Sequence, residues 1–165
     1  MTKIIVALLA AFIFIGCSAK TDENVAPKLV VGTTIADMKL NDQFDKPLTL
    51  KADTKKVIFA FSKDGAHVCN DYFKTQAASY LADNKSVFVA DVSSAPSLIR
   101  SMFIMPGLKD FKHTVYLLDD ENIAAPYRAQ MDTEKIVIVS VENLKITNIK
   151  TITSEKELIA EIETK

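Results

Sequence analysis

The sequence predicts an α/β fold, a mixed and mainly parallel central sheet covered by helices on both faces. Three observations carry this reading. Strand-like and helix-like periodicities alternate along residues 30–163. Lys56-Val57-Ile58-Phe59-Ala60-Phe61 is a short apolar run rich in β-branched and aromatic side chains, which suits a central strand buried on both faces. The order of segments, an N-terminal hairpin, βαβα, a strand, a short helix, an antiparallel hairpin and a last helix, is that of strands separated by crossover helices.

The elements follow in order. Ile35–Leu40 and Leu48–Leu50 flank the turn-rich stretch 41–47, which predicts the N-terminal hairpin. After the central strand, Phe73, Ala77, Tyr80 and Leu81 recur at helical spacing, which predicts a helix over 69–82. Ser86–Asp91 returns to strand character. Ser94-Ala95-Pro96 opens another helix, with serine as cap and proline in the first turn, expected to run to the breaker Met105-Pro106-Gly107. Thr114–Leu118 is a strand and Asn122–Ala129 a short helix. Lys135–Val141 and Leu144–Ile149 form a hairpin turning at Glu142-Asn143. Ser154 and Glu157, three apart, form a capping box ahead of a helix whose inner stripe is Leu158, Ile159 and Ile162.

Composition narrows the function classes. The 165 residues are 48% hydrophobic and 25% charged, with a net charge of −1, so no basic footprint for nucleic acid exists. Two cysteines and two histidines support neither a disulfide framework nor a zinc pattern, and no metal or cofactor is expected. Lys3 precedes the unbroken apolar run Ile4–Ile15, too short to span a hydrocarbon core of roughly 30 Å as a helix. This is the anatomy of an export signal. The run closes on Phe14-Ile15-Gly16-Cys17, which resembles the lipobox of bacterial lipoproteins, with Phe14 where that family usually has leucine. The resemblance implies cleavage after Gly16 and a covalent lipid on Cys17. An uncleaved anchor and a plain cleaved signal are the other readings, and all three place the domain outside the cytoplasm. The expected organisation is therefore a signal peptide over 1–16, lipidated Cys17 with a polar tether to residue 29, and one domain over 30–165, tethered to the periplasmic face of a membrane. Without residues 1–16 the chain keeps nineteen basic and twenty-one acidic side chains, a net charge of about −2.

A second resemblance covers the domain. Val31-Gly32 ahead of Asp37-Met38-Lys39-Leu40-Asn41-Asp42, the strand into Phe61-Ser62, a cysteine near the next helix start, and Leu118-Asp119-Asp120-Glu121-Asn122-Ile123-Ala124 followed by Tyr127 together look like the thioredoxin superfamily. The layout is similar to its peroxiredoxin-like branch, including periplasmic proteins of the YtfJ type. The resemblance implies a three-layer α/β/α domain with an N-terminal β-hairpin extension. It also implies a redox site where a helix N-terminus stabilises a thiolate.

The residues at that site depart from the pattern. Counted from Phe61, the two positions of a C-x-x-C motif fall on Ala66 and Cys69, so only the second carries sulfur and a dithiol cycle cannot run. Against a peroxidase pattern, Ala66 stands where a threonine should orient peroxide, and Ser62 where a proline should stand. The arginines are Arg100 and Arg128, and nothing in the sequence puts either beside Cys69. Thioredoxins carry a cis-proline before the last hairpin, where this chain has Asp132-Thr133-Glu134-Lys135. His67 is a candidate base for Cys69, or a solvated loop residue. Asp64, Asp71 and Asp91 are candidates to gather at strand ends, or to serve local turns. His113, beside Lys112, is expected at the surface. Met102–Leu108 is read as core or as a partner surface. Cys69 itself is either a buried small hydrophobe or a reactive thiol. Two functions follow: a non-catalytic binding or scaffold module meeting an envelope protein, or a monothiol enzyme using Cys69 on peroxide or a mixed disulfide. Oligomeric state, partner and membrane leaflet are not legible.

Overall fold

The structure is a computed structural model that describes residues 25–164. The expected signal peptide, Cys17 and the expected tether as far as residue 24 lie outside the described residues. No described helix is long and apolar enough to cross a membrane.

Six strands form one sheet in the order β1-β4-β3-β2-β5-β6. These are β1 (Asn41–Asp42), β2 (Lys56–Ala60), β3 (Ser86–Asp91), β4 (Tyr116–Leu118), β5 (Ile136–Glu142) and β6 (Lys145–Ile152). Strand β2 is central, as its two-sided apolarity requires, pairing parallel with β3 and antiparallel with β5. Only β2, β3 and β4 run parallel to one another; β1 joins β4, and β6 joins β5, antiparallel. The sheet is thus mixed, and its parallel part is smaller than the alternation of segments implied, because the C-terminal hairpin supplies two of its strands.

Alternation along the strands divides the interior into two cores. Ile58 and Ala60 of β2 face one way, into a core with Phe73, Phe88, Ile138 and Leu158. Val57 and Phe59 face the other, with Tyr127, Val139 and Leu118. Helices α1 (Lys63–Phe73) and α6 (Glu155–Glu163) cover the first face; α5 (Glu121–Arg128) and the extended segment from Leu29 to Leu40 cover the second. The layers are therefore helix, sheet, then helix with extended chain. Lys28 and Leu29, assigned to the tether from sequence, already belong to the domain: Lys28 N–H donates to Pro126 O at 2.8 Å, and Leu29 is buried.

The expected hairpin closes on the expected turn, with short arms. Asp42 N–H donates to Lys46 O, Leu48 N–H donates to Leu40 O, and Asp42 Oδ1 accepts from the amides of Phe44 and Lys46. Flanking Ile35–Leu40 and Leu48–Leu50 are not strands, because their apolar side chains are used against the sheet face instead of against each other.

Two helical segments and one hairpin turn differ from expectation. The helix placed over 69–82 begins at Lys63, where Ser62 Oγ accepts from Gly65 N–H at 3.2 Å, and ends at Phe73; residues 80–83 form a separate turn, α2 (Tyr80–Asp83). The segment opened by Pro96 does not stop at Pro106. It runs as α3 (Ser97–Ile99), a π-helical turn (Arg100–Ile104) and α4 (Met105–Lys109), with Pro106 in the first turn of α4. A widened turn ahead of the proline removes the need for the amide that proline lacks. The last hairpin turns one residue later than expected, with Asn143 and Leu144 both at positive φ, as a two-residue turn of primed type requires.

The capping box is present. Ser154 Oγ accepts from Glu157 N–H at 3.3 Å, and Glu157 Oε2 accepts from Ser154 N–H at 3.1 Å. Ser154→Ala is expected to lower stability by about 1 kcal/mol, read from the urea midpoint; an unchanged midpoint would mean the box adds nothing beyond what water supplies.

Candidate functional site

The site is built where β2 leaves the sheet. The strand ends at Ala60, Phe61 enters the second core, and Ser62 starts α1. Gly65, buried in the first turn, lets α1 sit close to the start of β5: a Cβ there would lie 3.3 Å from Ser62 Oγ and 3.5 Å from Ile136 Cγ1. A side chain at position 65 would press on both atoms. Cys69, Tyr72 and Phe73 point into the core, while Lys63, Ala66, His67, Asn70, Asp71 and Lys74, spaced three and four apart, share the face that lines a cleft.

The cleft has a volume of about 670 Å³ and lies between α1 and the segment from the end of β3 through α4. Ala66, at the first position of the motif, lies on its wall. Cys69, one turn later, is 0% exposed and belongs to the core with Ile58, Phe73 and Leu158. Burial pushes the Cys69 thiol far above its ordinary range, because a thiolate in that surrounding would have neither water nor a charge partner. His67 is exposed and makes no hydrogen bond among the described residues, so it is not held against Cys69.

The three aspartates are not brought together as one acidic group. Asp64 is exposed at the start of α1, and Asp71 pairs with Lys74 at 2.5 Å. Asp91, its side chain only 2% exposed, pairs with Arg128 at 2.9 Å and accepts from Ser93 Oγ; Arg128 also reaches Glu121. Arg100 donates to Val92 O and Asp119 O. Both arginines therefore tie the ends of β3 and β4 to the helices that follow, and neither hydrogen-bonds to Cys69. Among the described residues, no group of three or more His, Cys, Asp or Glu side chains is placed to hold a metal ion.

In the stretch before β5, Lys135 pairs with Asp132 at 2.8 Å, and no peptide bond among the described residues is cis. Met102–Leu108 divides: Leu108 enters the core, whereas Met102 and Phe103 are 58% and 65% exposed beside exposed Leu98.

His113 is not at the surface. It is 2% exposed, stacked on Phe111 with ring centroids 4.9 Å apart and edge-on to Phe73. Its Nε2 lies 2.9 Å from Asn70 Oδ1. A carbonyl oxygen only accepts, so Nε2 carries the proton and Nδ1, which has no partner, is bare. Burial lowers the His113 pKa to about 4, which keeps the ring neutral. Gln43, also buried, clamps the backbone on either side: its Nε2 donates to His113 O and its Oε1 accepts from Val115 N–H, both at 2.9 Å. Sequence reading missed this Asn70, His113 and Gln43 group. The one available signal is that Asn70 follows Cys69 on a helix whose inward positions are otherwise apolar.

With this geometry in place, the chain can be set beside known structures. A candidate thioredoxin from Neisseria meningitidis superposes with a TM-score of 0.51 at 17% identity, over 82% of this chain and 90% of that one. A peroxiredoxin-like protein from Aquifex aeolicus superposes with a TM-score of 0.50 at 12% identity, over 84% and 89%. The fold is thioredoxin-like. No family model matches the sequence, and no curated protein does. Within the thioredoxin-like fold, α1 is the helix that starts at the end of the central strand. In this chain Ala66 is the residue of its first turn that faces the cleft, and the sulfur of Cys69 is on the other side, in the core.

Proposed function

We propose that this protein is a non-catalytic binding module of thioredoxin-like fold, held at the periplasmic face of a bacterial membrane by a lipid on Cys17. One observation carries the loss of redox chemistry: the described cysteine, Cys69, is sealed in the core, while Ala66 occupies the reachable position on α1. A thiol must be reachable and ionised to attack peroxide or a disulfide, and Cys69 is neither. The apolar surface of Leu98, Met102 and Phe103 supports a protein partner in the envelope, since exposed apolar clusters of this kind serve contacts. The lipobox-like Phe14-Ile15-Gly16-Cys17 supports the anchor.

Two assays test the proposal. The chain from residue 18 onward, which holds every described element, is expected to turn over neither hydrogen peroxide nor a disulfide substrate above the level of its Cys69→Ala variant. Turnover that disappears with Cys69 would overturn the reading. In cells, an alkyne-tagged fatty acid is expected to label the full chain and to be lost in Cys17→Ser; persistent labelling, or none, would remove the anchor.

A further inference from the structure

We infer that the cleft beside α1 binds an uncharged, apolar molecule through a carbonyl oxygen, received by the side-chain amide of Asn70. The inference rests on the binding-module reading and concerns the cleft, which the exposed Leu98, Met102 and Phe103 do not line.

The shape and lining come first. A cleft of about 670 Å³ falls inside the range of roughly 300–1,000 Å³ typical of small-molecule sites. Its wall opposite α1 is apolar, formed by Val92, Ile99, Ile104, Leu108 and Phe111, with Phe61 at the end near Ser62. The charges at its border are largely neutralised in place: Asp71 by Lys74, and Asp91 by Arg128. Lys63, exposed at the mouth, makes no ion pair among the described residues, and the buried carboxylate of the lining, Asp91, is already engaged by Arg128 and Ser93. A charged ligand would lose hydration without gaining a matched partner, so the cleft suits a neutral one.

The polar group inside presents a donor. Asn70 is 8% exposed and lines the cleft. Its Oδ1 lies 2.9 Å from His113 Nε2, which turns Nδ2 away from the ring. The Asn70 Nδ2 group has no partner among the described residues, yet it is absent from the buried polar atoms that lack one, where only His113 Nδ1 occurs. It therefore opens to the cleft. A ketone, ester or amide oxygen satisfies it; a hydrocarbon leaves it unpaired.

The test uses the chain from residue 18 onward and three naphthalene probes of similar size: the methyl ketone, the ethyl hydrocarbon and the carboxylate. Calorimetric titration is expected to give a ketone affinity about tenfold above that of the hydrocarbon, with the carboxylate weakest. The ketone is also expected to shift the Asn70 side-chain amide signal in nitrogen-15 spectra. Asn70→Asp keeps an acceptor for His113 and turns a carboxylate oxygen to the cleft, so it should bring the ketone down to the hydrocarbon. Ala66→Phe, a half-exposed position on the cleft wall, should weaken both probes alike and leaves the Asn70–His113 pair untouched. Equal affinity for ketone and hydrocarbon, binding indifferent to Ala66→Phe, or no binding at the solubility limit would overturn the assignment. Such a failure with Cys69 still unreactive removes the ligand class alone, whereas Cys69-dependent turnover removes the binding-module reading.

Discussion

In the chain from residue 18 onward, Ala66→Cys is expected to be alkylated at neutral pH on the order of 10³-fold faster than Cys69. The new side chain would stand in the first turn of α1, half-exposed on the cleft wall, near the amides of Lys63 and Asp64, which have no intrahelical acceptor. The helix N-terminus stabilises an anion there. Cys69 reacts only when the core opens, and an opening free energy of about 4 kcal/mol or more gives the stated factor. The check is a rate of iodoacetamide labelling with the site mapped by mass spectrometry. Equal rates for the two chains would show that position 66 is not the reachable one and that the rotation of α1 is misassigned.

Acidification from pH 7 to pH 4 is expected to remove about 3 kcal/mol of stability through His113 alone. In the folded protein burial holds its pKa near 4, against 6.5 for a free imidazole. The unfolded chain therefore takes up the proton first. Stability from the neutral ring is complete above pH 6.5, declines as the pH falls toward 4, and stops declining below it. Phe73, Phe88, Phe111 and Asn70 surround the ring without a countercharge to rescue the imidazolium. Glu157 and Glu161, held below the usual carboxylate range by hydrogen bonds and by Lys150, lose their contribution at lower pH than the start of the His113 transition. Urea unfolding of wild type and His113→Gln at both pH values separates the terms, because glutamine can still donate to Asn70 but does not titrate. The variant should lose about 3 kcal/mol less than wild type over this interval. The same loss in both would assign the acid sensitivity elsewhere.

Much of the fold was legible because periodicity reports which faces are buried. Lys56–Phe61 read as the central strand, which the structure forms as far as Ala60, and Ser154 with Glu157 read as a capping box and is. Parallel and antiparallel partners were less legible, since a strand's own pattern does not name its neighbours. The start of α1 was misplaced because Lys63-Asp64-Gly65 has no apolar period; a side-chain bond from Gly65 N–H to Ser62 Oγ, not burial, begins that helix. Pro106 read as a stop because a regular α-helix excludes it, and a π-helical turn is a tertiary accommodation that local propensity does not encode.

At the site, the sequence put Ala66 and Cys69 at the two motif positions, with only Cys69 inside the expected helix, and left the state of the thiol open; the structure brings both onto α1. His113 was misread from its neighbour Lys112, because adjacent residues at a strand entrance point to opposite sides and the charge of one says nothing of the other. The buried Asn70, His113 and Gln43 join segments far apart in sequence, so their bonds become visible only once the sheet is assembled.

The central claim is that no reachable thiol exists in the folded domain. The direct measurement is the alkylation rate of Cys69 against pH in the chain from residue 18 onward, native and denatured, with Cys69→Ser as blank. The structure predicts negligible native labelling at neutral pH and rapid labelling once the chain is denatured. Fast native labelling with a midpoint well below the ordinary thiol value of about 8.5 would contradict it, and would return Cys69 to the role of a catalytic nucleophile.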